Sequence, residues 1–236
     1  MARYYISDLH FFHGNILNMD GREFENITEM GEYIIDRWNS KVKEDDDVFI
    51  LGDFSWEKGR KTYDLLTRLH GRLHLIEGNH DAWYLDDPNF DDFIFEDVSN
   101  YLELNRDGKT IIMSHYPIPF YNHQFQTNRE ERLTTYMLYG HLHNTYDEYL
   151  LNRFINEASS LERHSVISDS ITTPFQMINV FCGFAGYEPL TIEEWEEVDK
   201  KRRAMINERE KECGGILNQD QWNLLNTEIL DTFRKD

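Results

Sequence analysis

The chain has 236 residues and carries 24 Lys and Arg against 44 Asp and Glu, so its formal net charge is −20. Clustered Lys and Arg supply most of the affinity for duplex nucleic acid and anionic lipid, so we expect neither extended nucleic acid nor a membrane surface as a partner. A hydrophobic fraction of 40% at this length predicts one large domain with a real core.

The same composition bears on the compartment. No run of about 18 apolar residues occurs, and the first residues lack the apolar core of a signal peptide. Cys182 and Cys213 are the two cysteines, too few for a disulfide framework in a chain of this size. We therefore expect a cytoplasmic protein.

Five short apolar runs in the first two thirds of the chain are typical of buried strands that lead into loops. They are residues 4–6, 48–51, 73–76, 110–113 and 136–139. Between them, residues 30–39 and 61–69 have apolar side chains at helical spacing. Strands that alternate with helices predict an α/β protein whose ligand site lies at the carboxyl ends of the strands.

The last third of the chain is less regular. Residues 149–174 contain Ser-Ser and Asp-Ser pairs that suggest a loop or insertion, and residues 177–181 predict one more strand. Residues 191–209 and 219–233 predict two helices, separated by a Cys-Gly-Gly break. We therefore divide the chain into a domain at residues 1–190 and a C-terminal helical extension at 191–236 packed on it.

Side chains that bind metals follow all five predicted strands. They are Asp8 and His10, then Asp53, then Asn79, His80 and Asp81, then His115, and last His141 and His143. Carboxylates, an amide and imidazoles together suit Mn, Fe, Zn, Co or Ni, whereas a calcium site would consist of oxygens. Any one of them alone is more often an ordinary buried histidine or a turn residue, but all five groups at strand ends indicate a metal site.

These motifs, in this order, resemble the calcineurin-like metallophosphoesterase superfamily, whose pattern is D-x-H, G-D, G-N-H-D/E, an isolated His and G-H-x-H. The resemblance covers about residues 1–190, and residues 6–16 and 114–117 are similar to small bacterial and phage members. It implies an α/β/β/α sandwich of two packed mixed sheets flanked by helices, with a C-terminal helical tail.

The resemblance also implies a role for each motif residue. Two divalent ions are expected, with Mn²⁺ favoured and Fe, Zn, Co or Ni open. The first ion would be held by Asp8, His10 and His143, the second by Asn79, His115 and His141, and Asp53 would bridge them. A hydroxide between the metals would attack phosphorus, while His80 assists the leaving group and Asp81 orients the His80 imidazole.

Two neighbouring residues are candidate substrate contacts. His13 follows His10 by three residues and either contacts a phosphate or serves at the surface, and Tyr116 follows the ligand His115. Many members continue the second motif as G-D-x-x-D, but here residues 52–56 read GDFSW. The second Asp is missing here. The arginine that accompanies it in protein Ser/Thr phosphatases, and that binds phosphate there, is also not at its usual place. Phosphoprotein phosphatase activity is therefore disfavoured.

Three functions are therefore compared. The favoured one is hydrolysis of a small phosphomonoester or phosphodiester, with a nucleotide as one candidate, because two divalent ions outweigh two carboxylates and a hydroxide and leave a positive centre. A nuclease would need a basic groove, for which residues 129–132 and 200–203 are the only modest candidates. A non-catalytic scaffold predicts lost metal ligands, and none is missing. The C-terminal helices could also form a homodimer.

Overall fold

The computed structural model describes residues 1–165 and 168–234, and its elements alternate along most of the chain. The strands are β1 Arg3–Ile6, β2 Asp47–Ile50, β3 Arg72–Ile76, β4 Phe95–Ser99, β5 Leu102–Arg106, β6 Lys109–Met113, β7 Thr135–Tyr139, β8 Arg163–Ser165, β9 Ser168–Ile171 and β10 Met177–Asn179. The α-helices are α1 Ile16–Met19, α2 Ile27–Lys41, α3 Gly59–Leu66, α4 Ala82–Leu85, α5 Tyr146–Ser160, α6 Ile192–Cys213 and α7 Gln219–Phe233.

Two four-stranded sheets form the centre of the fold, as the α/β/β/α prediction requires. The first sheet has the order β1-β2-β3-β4, and all its pairings are parallel because each connection crosses over through a segment that contains a helix. The second has the order β10-β7-β6-β5, with only β5 antiparallel. The second sheet is thus mixed as predicted, whereas the first is entirely parallel.

The two sheets meet along β1. The Ser7 amide donates to the Val180 carbonyl at 2.9 Å, and the Cys182 amide donates back to the Ser7 carbonyl at 3.1 Å. Buried side chains from both sheets and from α2, α6 and α7 belong to one hydrophobic cluster, in which Trp38, Trp195 and Trp222 are fully buried. The strand ends that carry the polar motifs are therefore held on a rigid base.

The C-terminal helices contact the domain through buried polar groups as well. Arg202 on α6 is fully buried and donates to Glu148 on α5 at 2.7 Å, and the Trp195 indole donates to the Tyr5 carbonyl at 2.9 Å. The division of the chain at residue 190 stays a prediction, and residues 235 and 236 of the extension lie outside the described residues. No helix among the described residues is long and apolar enough to cross a membrane.

The prediction of a loop at residues 149–174 is wrong for most of that segment, and the alternative of an insertion stays a prediction. Helix α5 begins at Tyr146 and continues to Ser160, and β8 and β9 pair antiparallel, with residues 166 and 167 outside the described residues. The buried face of α5 includes Glu148 and Asn152 beside Tyr149 and Ile155. Polar side chains on the buried face concealed the apolar periodicity that identifies a helix.

Candidate metal centre

The parallel arrangement of the strands brings the polar motifs together. Asp8, Asp53 and Asn79 follow the carboxyl ends of β1, β2 and β3, which are adjacent in the first sheet. His115 follows β6 and His141 follows β7, which pair in parallel in the second sheet. Because β1 lies against the second sheet, both sets of strand ends face one region.

Four of the predicted ligands form a compact buried cluster. The ligand atoms of Asp8, His10, Asp53 and His143 all lie within 4.8 Å of one another. His143 Nε2 is 3.2 Å from His10 Nε2 and 3.3 Å from Asp8 Oδ1. Asp8, His10 and Asp53 are each at most 3% exposed. Buried carboxylates and imidazoles crowded at this distance are consistent with metal binding, because a cation would satisfy all of them at once.

A second group of predicted ligands lies on the other side of Asp53. His115 Nε2 is 3.6 Å from Asp53 Oδ2 and 3.1 Å from Asn79 Oδ1. The His141 ring lies 5.1 Å from the His115 ring, measured between centroids. His10 Nε2 is also 3.6 Å from Asp53 Oδ2, so one carboxylate oxygen is equally close to both groups.

Two of the candidate ligand imidazoles are oriented by hydrogen bonds at Nδ1, the ring nitrogen that faces away from the centre. His143 Nδ1 lies 2.9 and 3.0 Å from the Asp20 oxygens, and His115 Nδ1 lies 2.8 Å from the Leu51 carbonyl. Fixing Nδ1 in this way turns Nε2 toward the centre, as ligand histidines require. The Arg22 side chain donates to Asp20 at 2.7 Å and also, through its two terminal nitrogens, to the Asp8 and Leu9 carbonyls at 2.7 Å.

Asp20 and Arg22 are functional residues that were not predicted from the sequence. Both are buried, at 6% and 4% exposure, and lie between the loop after β1 and the loop that carries His143. Neither belongs to a recognisable motif, and the segment around them contains no strand. A buried Asp-Arg pair next to a loop is not distinguishable in sequence from an ordinary surface pair.

The backbone at the site is unusual. Five of the candidate ligands have positive φ angles, namely Asp8 at 57°, His10 at 52°, Asp53 at 52°, His141 at 68° and His143 at 46°. Left-handed backbone is uncommon for residues other than glycine and is concentrated at functional sites. The motif glycines leave space for the carboxylates: a Cβ on Gly140 would lie 2.6 Å from Asp8 Oδ2, and one on Gly78 would lie 2.5 Å from Asp53 Oδ1.

The cluster is strongly coupled electrostatically. Burial raises the pKa of Asp8, but the adjacent His143 lowers it further, so the Asp8 pKa is well below its usual range. Burial lowers the pKa of His143, but Asp8 and Asp20 raise it to about 10. Burial and the nearby His143 lower the pKa of His10 to about 2. The pKa shifts of these three side chains thus follow from their burial and from their contacts with one another.

His80 lies at the solvent-facing side of the centre. Its Nε2 is 3.9 Å from Asp53 Oδ2, and its side chain is 37% exposed. Its ring lies 4.5 Å from the Trp56 ring and 5.7 Å from the His10 ring, measured between centroids. His80 is therefore close to the candidate ligands and also open to a molecule in solution.

Asp81 has a different role from the one predicted. Its Oδ2 accepts the backbone amides of Asp53 and Gly78 at 2.8 Å each, and its Oδ1 accepts the amide of Phe54 at 2.9 Å. The side chain is fully buried beneath the loop. The expectation that Asp81 orients the His80 imidazole is thus corrected, since Asp81 holds the backbone that presents Asp53.

The two predicted substrate contacts flank the centre. His13 stacks on Trp56 with centroids 4.0 Å apart and an interplanar angle of 8°. The Tyr116 ring lies 4.6 Å from the His141 ring, and the residue is 48% exposed. Both side chains lie beside candidate ligands, and their contact with a substrate stays a prediction.

Comparisons with known proteins agree with this geometry. A calcineurin-like phosphoesterase superfamily domain matches residues 1–157. An uncharacterized protein from Methanocaldococcus jannaschii is 34% identical over 149 residues, which is 62% of this chain and 72% of that protein. A crystal structure of a protein of unknown function from Aquifex aeolicus superposes with a TM-score of 0.53 at 21% identity, covering 83% of this chain and 98% of that chain, and so shares the fold.

Proposed function

The chain belongs to the calcineurin-like phosphoesterase superfamily, and we propose that it hydrolyses phosphomonoesters or phosphodiesters with two divalent metal ions. One observation carries the proposal. Asp53 Oδ2 lies 3.6 Å from Nε2 of both His10 and His115, so a single carboxylate joins two groups of ligands. A two-ion centre needs such a shared ligand.

The donor set suits two ions of borderline hardness. We assign Asp8, His10 and His143 to one ion, Asn79, His115 and His141 to the other, and Asp53 to both. Mn²⁺ is the expected metal, with Fe, Zn, Co and Ni as alternatives, because imidazole and carboxylate ligands occur together. Bound there, the ions would activate water and neutralise charge on the phosphoryl group.

We assign protonation of the leaving group to a side chain of this protein. When water adds to phosphorus, the ester P–O bond breaks and the leaving oxygen needs a proton. We assign that proton to the imidazole of His80, which is partly exposed and adjacent to Asp53. Its position between the centre and solvent lets it reach the leaving oxygen and be protonated again from water.

The nuclease alternative has less support. Of the basic residues at 200–203, Arg202 is fully buried against Glu148, and Arg203 is paired with Asp199. Arg132, in the other basic segment, pairs with Glu130. Arg202 and Arg203 are therefore not available to a phosphate backbone, which weakens the case for a groove at 200–203, whereas the exposed Arg132–Glu130 pair is weak and leaves Arg132 accessible.

The proposal is tested with the purified protein, chelated and then reloaded with Mn²⁺, on p-nitrophenyl phosphate, bis-p-nitrophenyl phosphate and single-stranded DNA. Asp53→Asn is the diagnostic variant and Asp107→Asn is its control. Both residues have left-handed backbone, with φ angles of 52° and 54°, but Asp53 is buried and Asp107 is exposed. His10→Asn and His123→Asn form a second pair, with φ of 52° and 56°.

We expect turnover of at least one p-nitrophenyl ester that depends on added metal. Asp53→Asn and His10→Asn should each lower kcat/KM by about a hundredfold or more and reduce bound metal, because each variant loses a metal ligand and a hundredfold corresponds to about 2.7 kcal/mol of transition-state stabilisation. The two control variants should behave as wild type. Full activity after chelation, or no turnover with any divalent ion, would refute the proposal, and the second result would favour the scaffold alternative.

A further inference from the structure

A cleft of about 310 Å³ opens next to the candidate centre. It is lined by Trp56, Asn79, His80, Ala82 and Trp83. Trp56 is 41% exposed and Trp83 is 60% exposed, although the other tryptophans of the described chain are fully buried. Large aromatic side chains left open beside a polar site are a frequent mark of ligand binding.

Local structure holds both indoles at the cleft. Trp83 lies in α4, directly after the loop with Asn79 and His80, and the next residue, Tyr84, is fully buried. Anchoring Tyr84 in the core turns Trp83 outward. Trp56 is held by its parallel stack on His13. The two rings are therefore positioned before any ligand arrives, which reduces the entropy lost on binding.

The position of His80 defines which part of a substrate enters the cleft. This step rests on the proposed function, in which His80 gives its proton to the leaving oxygen. The leaving group then extends from phosphorus past His80, and the next walls it meets are the two indoles and the methyl group of Ala82. The cleft is thus on the leaving-group side of the reaction.

We propose that this cleft binds the nucleobase of a nucleoside leaving group, so that the substrate is a nucleoside phosphate ester. Indole faces stack on any flat heteroaromatic ring, and a nucleobase keeps its polar edges in water at an open cleft, which an alkyl chain cannot. Lys58 Nζ lies 5.2 Å from the centre of the Trp83 ring, and this cation–π contact helps to hold the indole in place.

The test isolates the base. Adenosine 5′-monophosphate and ribose 5-phosphate release the same kind of primary alcohol and differ in the base, and their methyl esters serve if the protein cleaves diesters. We expect wild type to prefer the adenosine compound by about tenfold or more in kcat/KM. Trp83→Ala should lower that preference about tenfold, and Trp83→Phe should retain most of it. Phe93→Ala, at a ring that is 92% exposed outside the cleft, is the control and should keep the preference.

A binding measurement separates this inference from the proposed function. Adenosine should quench tryptophan fluorescence of the chelated protein at millimolar concentration, and Trp83→Ala should weaken the quenching. If p-nitrophenyl esters are hydrolysed but the two sugar phosphates are used equally, the nucleobase cleft is refuted while the phosphoesterase proposal stands. If no ester is hydrolysed, the phosphoesterase proposal falls, and absence of adenosine quenching then refutes the cleft as well.

Discussion

Replacing Asp81 with Asn tests whether this residue holds the ligand loop. The Asn side chain keeps the shape but has one acceptor oxygen, and the Asp81 carboxylate accepts three backbone amides. With the amide oxygen facing Asp53 and Gly78, the new NH₂ group faces the Phe54 amide, so a buried donor loses its acceptor at a cost of about 1–3 kcal/mol. The two retained bonds lose their charge assistance, about 1 kcal/mol each.

One effect opposes this loss. Burial and the neighbouring Asp53 charge raise the pKa of Asp81, so removing the charge relieves part of the cost of burying it. When the pKa of a carboxyl group is raised in the folded state, the protein loses stability as pH rises from the unfolded-state pKa to the folded-state pKa. The stability regained by removing the Asp81 charge is therefore largest at neutral pH. The lost hydrogen bonds outweigh the relief, and we expect a net loss of about 2 kcal/mol in the free energy of unfolding.

Urea unfolding of the chelated protein measures this loss without a contribution from bound metal. Asp91→Asn is the control, since its exposed carboxylate accepts the Phe93 amide at 3.2 Å and Asn accepts equally well there. We expect that control within about 0.5 kcal/mol of wild type. If Asp81→Asn unfolds at the wild-type midpoint but loses rate on esters with poor leaving groups, Asp81 acts through His80 and the assignment to the loop is wrong.

Two further predictions concern residues near the centre. Asp20→Asn should weaken Mn²⁺ binding about 10- to 100-fold in calorimetry while Asp107→Asn does not, because Asp20 orients His143 through Nδ1; equal affinities would contradict this. Burial raises the pKa of Cys182 to about 12, whereas Cys213 is exposed. Iodoacetamide at about pH 9 should therefore modify Cys213 alone, and both thiols only after unfolding, as counted by mass spectrometry; modification of Cys182 in the native protein would contradict the packing.

Much of the fold could be predicted from the sequence because strand-end motifs and parallel topology are linked. A parallel strand is buried and short, so residues 48–51 and 73–76 are recognisable as apolar runs, and their carboxyl ends must lie at one edge of the sheet. That rule alone places Asp53 beside Asn79. Strands β4 and β5 were not predicted, because Phe95 is the one buried residue in the two strands and they therefore contain no apolar run.

The orienting residues could not be predicted, because their roles depend on contacts between distant segments. Asp20 contacts His143 across 123 positions, and Asp81 contacts the Asp53 and Phe54 amides across 28 and 27 positions of the chain. In sequence, Asp81 is next to His80, so adjacency suggested a pair. In the structure, the Asp81 oxygens accept three backbone amides, and charge-assisted hydrogen bonds of this kind are strong.

Part of the acidic charge of the chain lies away from the centre. Asp46 and Asp47 stand at the amino end of β2, where Asp46 accepts the Ala2 amide and Asp47 pairs with Arg72. Asp53 follows the other end of that strand, roughly 13 Å away for four residues of strand. At that distance the Coulomb interaction of the Asp46 and Asp47 carboxylates with the centre is about a third of that of a charge about 4 Å away, and Arg72 offsets the charge of Asp47. The centre itself holds Asp8 and Asp53, and the charge of Arg22 is paired with Asp20. The positive charge that attracts a compact phosphate ester, in spite of the net charge of −20, would therefore come from the two proposed metal ions.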